Sequence, residues 1–175
     1  MSAPRLSLAK GFTLVELLLV VALLGITVGV TSDILLSIVR TYNKTQVLNE
    51  IEQQANFVSL KLEKELRSAI DVSVGVDDAL TISLSDGTTS VYRLVDVSGF
   101  GVIRRENQLL TYDLTKADML GGVTVSCGPT GCFTVAGTSP TIVSYDLVFA
   151  QAGATDVSFT GSSNISNTIV IRYSY

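Results

Sequence analysis

The chain has 175 residues, 47% of them hydrophobic and 16% charged, with a formal net charge of -4. It contains no His, which excludes a Ser–His or Cys–His nucleophile, and no Gly-x-x-x-x-Gly-Lys-Ser/Thr loop for a phosphate. Beyond Arg5 and Lys10 the chain carries ten basic against 16 acidic side chains, so bulk charge argues against non-specific binding to nucleic acid.

The first element is an apolar run. From Phe12 to Val30 there are 19 residues, and Glu16 is the only charge among them. A run of that length crosses a bilayer as one helix. A carboxylate inside such a helix costs about 2.5–3.5 kcal/mol at the bilayer centre and less near an end. Glu16 is therefore either a functional charge or a residue at headgroup level reaching for water. Arg5 and Lys10 flank the N-terminal side, which places the N-terminus in the cytoplasm and the C-terminal part outside. A secretory signal also has a basic start, but its apolar stretch is shorter, and Gly29 to Asp33 make a poor cleavage site.

The helical pattern continues past the run. No proline occurs between Pro4 and Pro129, and no glycine between Gly29 and Gly75. Ile51, Ala55, Val58, Leu62, Leu66 and Ala69 recur every three or four residues, forming one apolar stripe. Lys61 with Glu65 and Glu63 with Arg67 are i,i+4 ion pairs. One helix over 12–70 is expected, roughly 90 Å long at 1.5 Å per residue; the alternative is a break near Thr31-Ser32-Asp33. Its first half is apolar all round and its second half amphipathic. Gly25 and Gly29 form a Gly-x-x-x-Gly pair, either a close helix contact or ordinary small residues in a span. They lie roughly 180° and 220° around the helix from Glu16.

Beyond Asp71 the period becomes two. Leu80, Ile82 and Leu84 alternate with polar residues, Ser85-Asp86-Gly87-Thr88 reads as a turn, and 91–95 as the returning strand. Residues 101–105 and 109–114 flank a second turn. Residues 123–127 and 132–136 flank Gly128-Pro129-Thr130-Gly131, and 142–150, 155–160 and 168–174 complete an antiparallel sheet, with 161–167 a polar loop. Cys127 and Cys132 bracket a tight turn in a compartment that permits oxidation, so a disulfide is expected, with free thiols as the alternative. A C-x4-C pair without His is a poor zinc site. Asp77-Asp78 reads as a solvated turn, with a calcium site as the alternative. Arg104-Arg105 is a weak basic patch, because neighbours on a strand face opposite ways.

Lys10-Gly11-Phe12-Thr13-Leu14-Val15-Glu16, followed by the apolar residues to Ile26, resembles the type IV prepilin signature. The resemblance implies cleavage by a prepilin peptidase between Gly11 and Phe12 and N-methylation of Phe12. It implies that Glu16 pairs with the terminal amine of a neighbouring subunit, that membrane lipid holds the chain before assembly, and that an inner-membrane platform assembles it. Gln53 to Ala55, Leu62 to Ile70, Val91 to Leu94 and Gly101 to Arg105 resemble J-type minor pseudopilins or related minor pilins. No proline kinks the first half of the helix, as one often does in major pilins.

The sequence thus reads as α+β and pilin-like: a leader at 1–11, a membrane or filament-core half-helix at 12–31, an amphipathic half at 32–70 and an extracytoplasmic β domain at 71–175. The expected role is a non-enzymatic filament subunit that needs no cofactor or metal. The alternative is a single-pass anchor with an outward binding domain that never polymerises.

Overall fold

The computed structural model describes residues 11–118, 121–153 and 160–171. Expectations placed on 1–10, 155–159 and 172–174 fall outside the described residues. The chain divides into two compact units, Met1–Thr41 and Tyr42–Tyr175. One α-helix, α1 (Leu14–Arg67), contributes to both and continues through Thr31-Ser32-Asp33 without a break.

In the first unit, every described side chain of residues 11–41 is exposed. The helix is long and apolar enough to cross a membrane. Its hydroxyls do not spoil that surface. Thr27 Oγ1 donates to the Leu24 carbonyl (2.9 Å), Thr31 Oγ1 to Thr27 (2.6 Å) and Ser32 Oγ to Val28 (2.9 Å). These three hydroxyls are each satisfied within their own helix, as a lipid environment demands.

In the second unit, the helix from Tyr42 onward packs on two antiparallel sheets. The first is a meander of β1 (Ala69–Val74), β2 (Leu80–Leu84), β3 (Thr89–Val97), β4 (Phe100–Asn107) and β5 (Thr111–Asp113). β3 and β4 close through Ser98 and Gly99, both at positive φ (56° and 87°), the geometry of a two-residue hairpin turn. The second sheet contains β6 (Ala117–Asp118), β7 (Gly121–Cys127), β8 (Phe133–Ala136), β9 (Thr141–Gln151) and β10 (Ser162–Ile171). Its order is β10-β9-β7-β6, with β8 also paired to β9.

β7 and β8 are not hairpin partners of each other. Cys127 lies opposite Leu147 and Phe133 opposite Tyr145, so both strands run along the same edge of β9, one after the other. The segment between them is an excursion rather than a reversal. It is pinned by Gly128 N–H donating to the Asp146 carbonyl (2.9 Å) and Asp146 N–H donating to the Cys132 carbonyl (3.0 Å). Cys127 and Cys132 are joined in a disulfide across its base. Asp78 caps it from the β1–β2 turn, its Oδ2 accepting the Cys132 N–H at 3.1 Å. Substituting both cysteines by serine should cost about 2 kcal/mol in the chain-entropy account of so short a loop. Chemical denaturation of the variant in detergent checks this.

The helix stripe is the expected one. Ile51, Ala55, Val58, Leu62 and Leu66 are buried against Leu80, Ile82, Tyr92 and Ile103 of one sheet and Val125, Tyr145, Leu147 and Phe149 of the other. Both i,i+4 pairs form, Lys61–Glu65 at 3.4 Å and Glu63–Arg67 at 3.8 Å. The helix ends at Arg67 rather than Ile70. Ser68 Oγ returns to the Lys64 and Glu65 carbonyls, each at 3.1 Å, and the chain enters β1 at Ala69. Ala69 stays in the core, now from a strand. The polar loop expected at 161–167 is instead, from Ser162, the first half of β10. Its period is hidden because Asn167, among the less exposed alternate positions, is polar. The Asn167 amide is satisfied by Glu63 Oε1 (2.6 Å), while Ser59 Oγ meets the Tyr145 hydroxyl at 2.8 Å.

A second polar cluster fixes the helix on the first sheet. Arg105 is buried; its Nε donates to Glu65 Oε1 (3.0 Å) and its Nη2 to Ser90 Oγ (2.8 Å). Its guanidinium lies 6.0 Å from the Tyr92 ring centre and 5.6 Å from that of Tyr112. Burial pushes the Glu65 carboxyl up, but the neighbouring Tyr92 hydroxyl, the Arg105 hydrogen bonds and charge and the Ser90 hydroxyl together outweigh it and hold the pKa below the ordinary value of 4.5. A depressed folded pKa adds stability above the ordinary value, which is lost as pH falls through the folded one. The melting difference between the parent chain and Glu65→Gln should therefore be largest near neutrality and shrink below about pH 4. Thermal melts across that range test it; a pH-independent difference would contradict it.

Candidate functional site

The site is the start of the helix. Gly11, Phe12 and Thr13 precede α1, which begins at Leu14. Thr13 is the N-cap. Its carbonyl accepts from the N–H groups of Glu16 (3.1 Å) and Leu17 (3.2 Å), and its Oγ1 lies 3.3 Å from the Glu16 nitrogen. This satisfies one of the orphan donors of the first turn. Thr13-Leu14-Val15-Glu16 thus has the spacing of a capping box, with Glu16 at the third helical position. The sequence reading does not single out Thr13 as a cap, though its Thr-x-x-Glu spacing is the signal that identifies it.

Among the described residues, nothing beyond its chain neighbours lies within 4 Å of the position a Cβ would take at Gly11. Phe12 is 75% exposed. Gly11 and Phe12 thus stand on accessible chain ahead of the helix, which begins at Leu14. Glu16 is exposed in the first turn, where the helix dipole favours an anion. Cys127, Cys132, Asp77 and Asp78 lie in the other unit, far along the chain from this segment. Gly25 and Gly29 are likewise open: among the described residues nothing beyond the helix's own backbone and chain neighbours lies within 4 Å of the position a Cβ would take.

The remaining candidates have structural uses. Asp78, Cys127 and Cys132 approach one another closely enough to ligate an ion. Both sulfurs are consumed by the disulfide, and the carboxylate is engaged with the Cys132 N–H. Two soft ligands are thereby lost to a metal. Arg104 and Arg105 point to opposite sides of β4. Arg105 is buried on Glu65, and Arg104 Nε donates to Asp113 Oδ1 at 2.6 Å. They do not form a basic patch.

The family model described as "prokaryotic N-terminal methylation motif" matches residues 6–32, which is the type IV prepilin signature. No curated protein matches the chain, and no solved structure does. The matched segment contains Gly11, Phe12, Thr13, Glu16, Gly25 and Gly29. Such a signature implies processing by a prepilin peptidase and assembly with other pilin subunits. It indicates a structural subunit rather than an enzyme.

Proposed function

We propose that this chain is a minor pilin or minor pseudopilin, cut between Gly11 and Phe12, methylated on the new Phe12 amine and stored in the cytoplasmic membrane before it joins a filament. The observation that carries this reading is the coincidence of the methylation motif with an exposed, membrane-length apolar helix that starts three residues after Gly11. In this reading Arg5 and Lys10 hold the N-terminus on the cytoplasmic side, and the β domain lies outside. The proline-free helix and the J-type resemblance of 53–70, 91–94 and 101–105 favour a minor subunit.

The chemistry of the new terminus explains Glu16. A free α-amine has a pKa of about 7.7–8 and is mostly charged at neutral pH; one methyl group leaves it protonatable. A cation is disfavoured at the positive end of a helix dipole. Glu16 supplies a compensating negative charge in that first turn. In a bundle of apolar helices the carboxylate and a neighbouring subunit's amine attract far more strongly than in water. An unpaired Glu16 is costly in lipid and a paired one is less so, so the charge favours assembly and sets the axial register. Gly25 and Gly29 pack a second neighbour closely in the same bundle.

The mass of the N-terminal peptide tests the reading directly. The chain is taken from the membrane fraction of cells with an active prepilin peptidase. A peptide beginning with N-methylated Phe12 is the expected result. A chain retaining residues N-terminal to Phe12 overturns it.

A further inference from the structure

We infer that Asp33 and Arg40 of α1 form an ion pair between parallel copies of this chain, the Arg40 of one reaching the Asp33 of the next. The inference rests on the filament reading, which supplies parallel neighbours. Both residues lie in the first unit, and both are exposed. Among the described residues, neither takes part in an ion pair within the chain. From Phe12 to Val39 the only charged side chains are Glu16 and Asp33, and Arg40 is the first basic one beyond them.

Asp33 is poorly served in a chain standing alone. Ile34, Leu35, Leu36, Ile38 and Val39 follow it and are 54–59% exposed. If lipid ends at Asp33, these apolar side chains stay in water and keep their hydration cost. If lipid extends to Arg40, Asp33 lies roughly 10 Å inside it, where a carboxylate is costly. Neither position of the bilayer removes both costs. A helix contact over 33–40 that brings a cation to Asp33 removes both.

The spacing of the two charges points to a second copy as the source of that cation. Asp33 and Arg40 are seven residues apart, so they lie on one face of the helix, roughly 20° apart around its axis. Within one helix the separation is about 10 Å, beyond the three- or four-residue spacing at which side chains pair. Helical side chains lean toward the N-terminus, so Arg40 covers the turn before its own Cα. A parallel copy displaced toward the helix C-terminus by about one to two turns therefore sets its Asp33 beside this Arg40. Each copy gives a guanidinium to one neighbour and a carboxylate to another, so the face is complementary to itself. A guanidinium is weakly hydrated and matches a carboxylate in shape, which suits a pair closed off from water.

The contact keeps every copy in the same orientation across the membrane. It is heterologous and does not close, as a filament requires. Glu16 and the Phe12 amine stand four residues apart, so they too pair only between copies stepped along the axis, and in the same sense. Glu16 and Arg40 lie roughly 120° apart around α1, so the two pairs engage different neighbours in one bundle.

Mixed filaments test the inference. Cells that build the filament make two tagged chains together, the natural sequence and the variant Asp33→Asn, Arg40→Lys. Sheared filaments are treated with an apolar carbodiimide, which joins a carboxylate to an adjacent amine as an amide. The variant has no carboxylate at 33 and the natural chain no amine at 40, so a link from Asp33 to the amine introduced by Arg40→Lys joins two molecules. A control, Asp33→Asn, Val39→Lys, Arg40→Gln, moves that amine roughly 100° around the helix. The expected yield, per variant molecule incorporated, is about tenfold above the control, as fixed proximity raises effective concentration. Made without the natural chain, the variant should be depleted from filaments about tenfold, the scale of a close charge pair in a contact, and the natural chain should restore it. A yield equal to the control, Asp33 linked instead to another protein, or a variant that enters filaments no better beside the natural chain overturns the inference. The N-terminal mass separates two failures. N-methylated Phe12 in filaments without the link sinks this pair alone, whereas a chain uncut at Gly11 sinks the filament reading with it.

Discussion

Glu16→Ala should leave the chain cut at Gly11 and seated in the membrane, yet lower its incorporation into filaments by about tenfold or more. A tenfold loss corresponds to about 1.4 kcal/mol, and an unpaired charge in apolar surroundings costs more than that. Alanine removes the cost in lipid, so membrane insertion should be no worse. The loss should appear only where a neighbour's amine is left without its partner. A protein that is a lone anchor would tolerate the change, so unaltered behaviour in cells that build the filament would favour the non-polymerising alternative.

Glu16→Gln separates two roles that the helix start gives this residue. Thr13 and Glu16 stand in capping-box spacing, and a box accepts Gln at its third position as well as Glu. Charge pairing does not accept it. If Glu16 acts through charge, Gln should fail in assembly as Ala does. If it acts by fixing the start of the helix, Gln should assemble normally and Thr13→Val should share the Ala defect. Comparing filament content for the three variants, with membrane levels matched, decides between them.

Much of this arrangement is legible in the sequence because its signals are local. The apolar run, the absence of proline and glycine after Gly29, and the Ile51-to-Leu66 stripe each restrict the backbone within one or two turns. The motif from Gly11 to Glu16 is equally local, since its residues stand in fixed order within the matched segment. What stays hidden depends on distant partners. Ser162 to Asn167 look like a loop because Asn167 is polar, and only Glu63, 104 residues away, makes it a satisfied strand position. The end-to-end placement of β7 and β8 follows from β9, whose sequence shows no preference for either. Arg105 reads as half of a weak basic pair, because its partner Glu65 lies 40 residues earlier on the helix.

Breaking that buried pair should be a costly single change to the β domain. Arg105→Ala leaves Glu65 in a site closed to water, with Lys61, 3.4 Å away at its rim, as its remaining cation. Removing one member of a buried ion pair costs about 3–5 kcal/mol. The guanidinium also fills space between the Tyr92 and Tyr112 rings, so its loss removes packing as well as charge. For a domain of this size the melting temperature should fall by roughly 10–20 °C. Arg104→Ala, one residue earlier on the same strand, is the control. Its partner Asp113 is solvent-exposed, where an ion pair contributes little, and its melt should barely move. The double change Glu65→Leu with Arg105→Met should recover most of the loss, because apolar residues of similar volume often replace a buried ion pair at no net cost. Equal melts for Arg104→Ala and Arg105→Ala would show that burial does not set the value of these arginines. A double variant as unstable as Arg105→Ala would instead show that the helix needs the charged pair itself to find its register on the sheet.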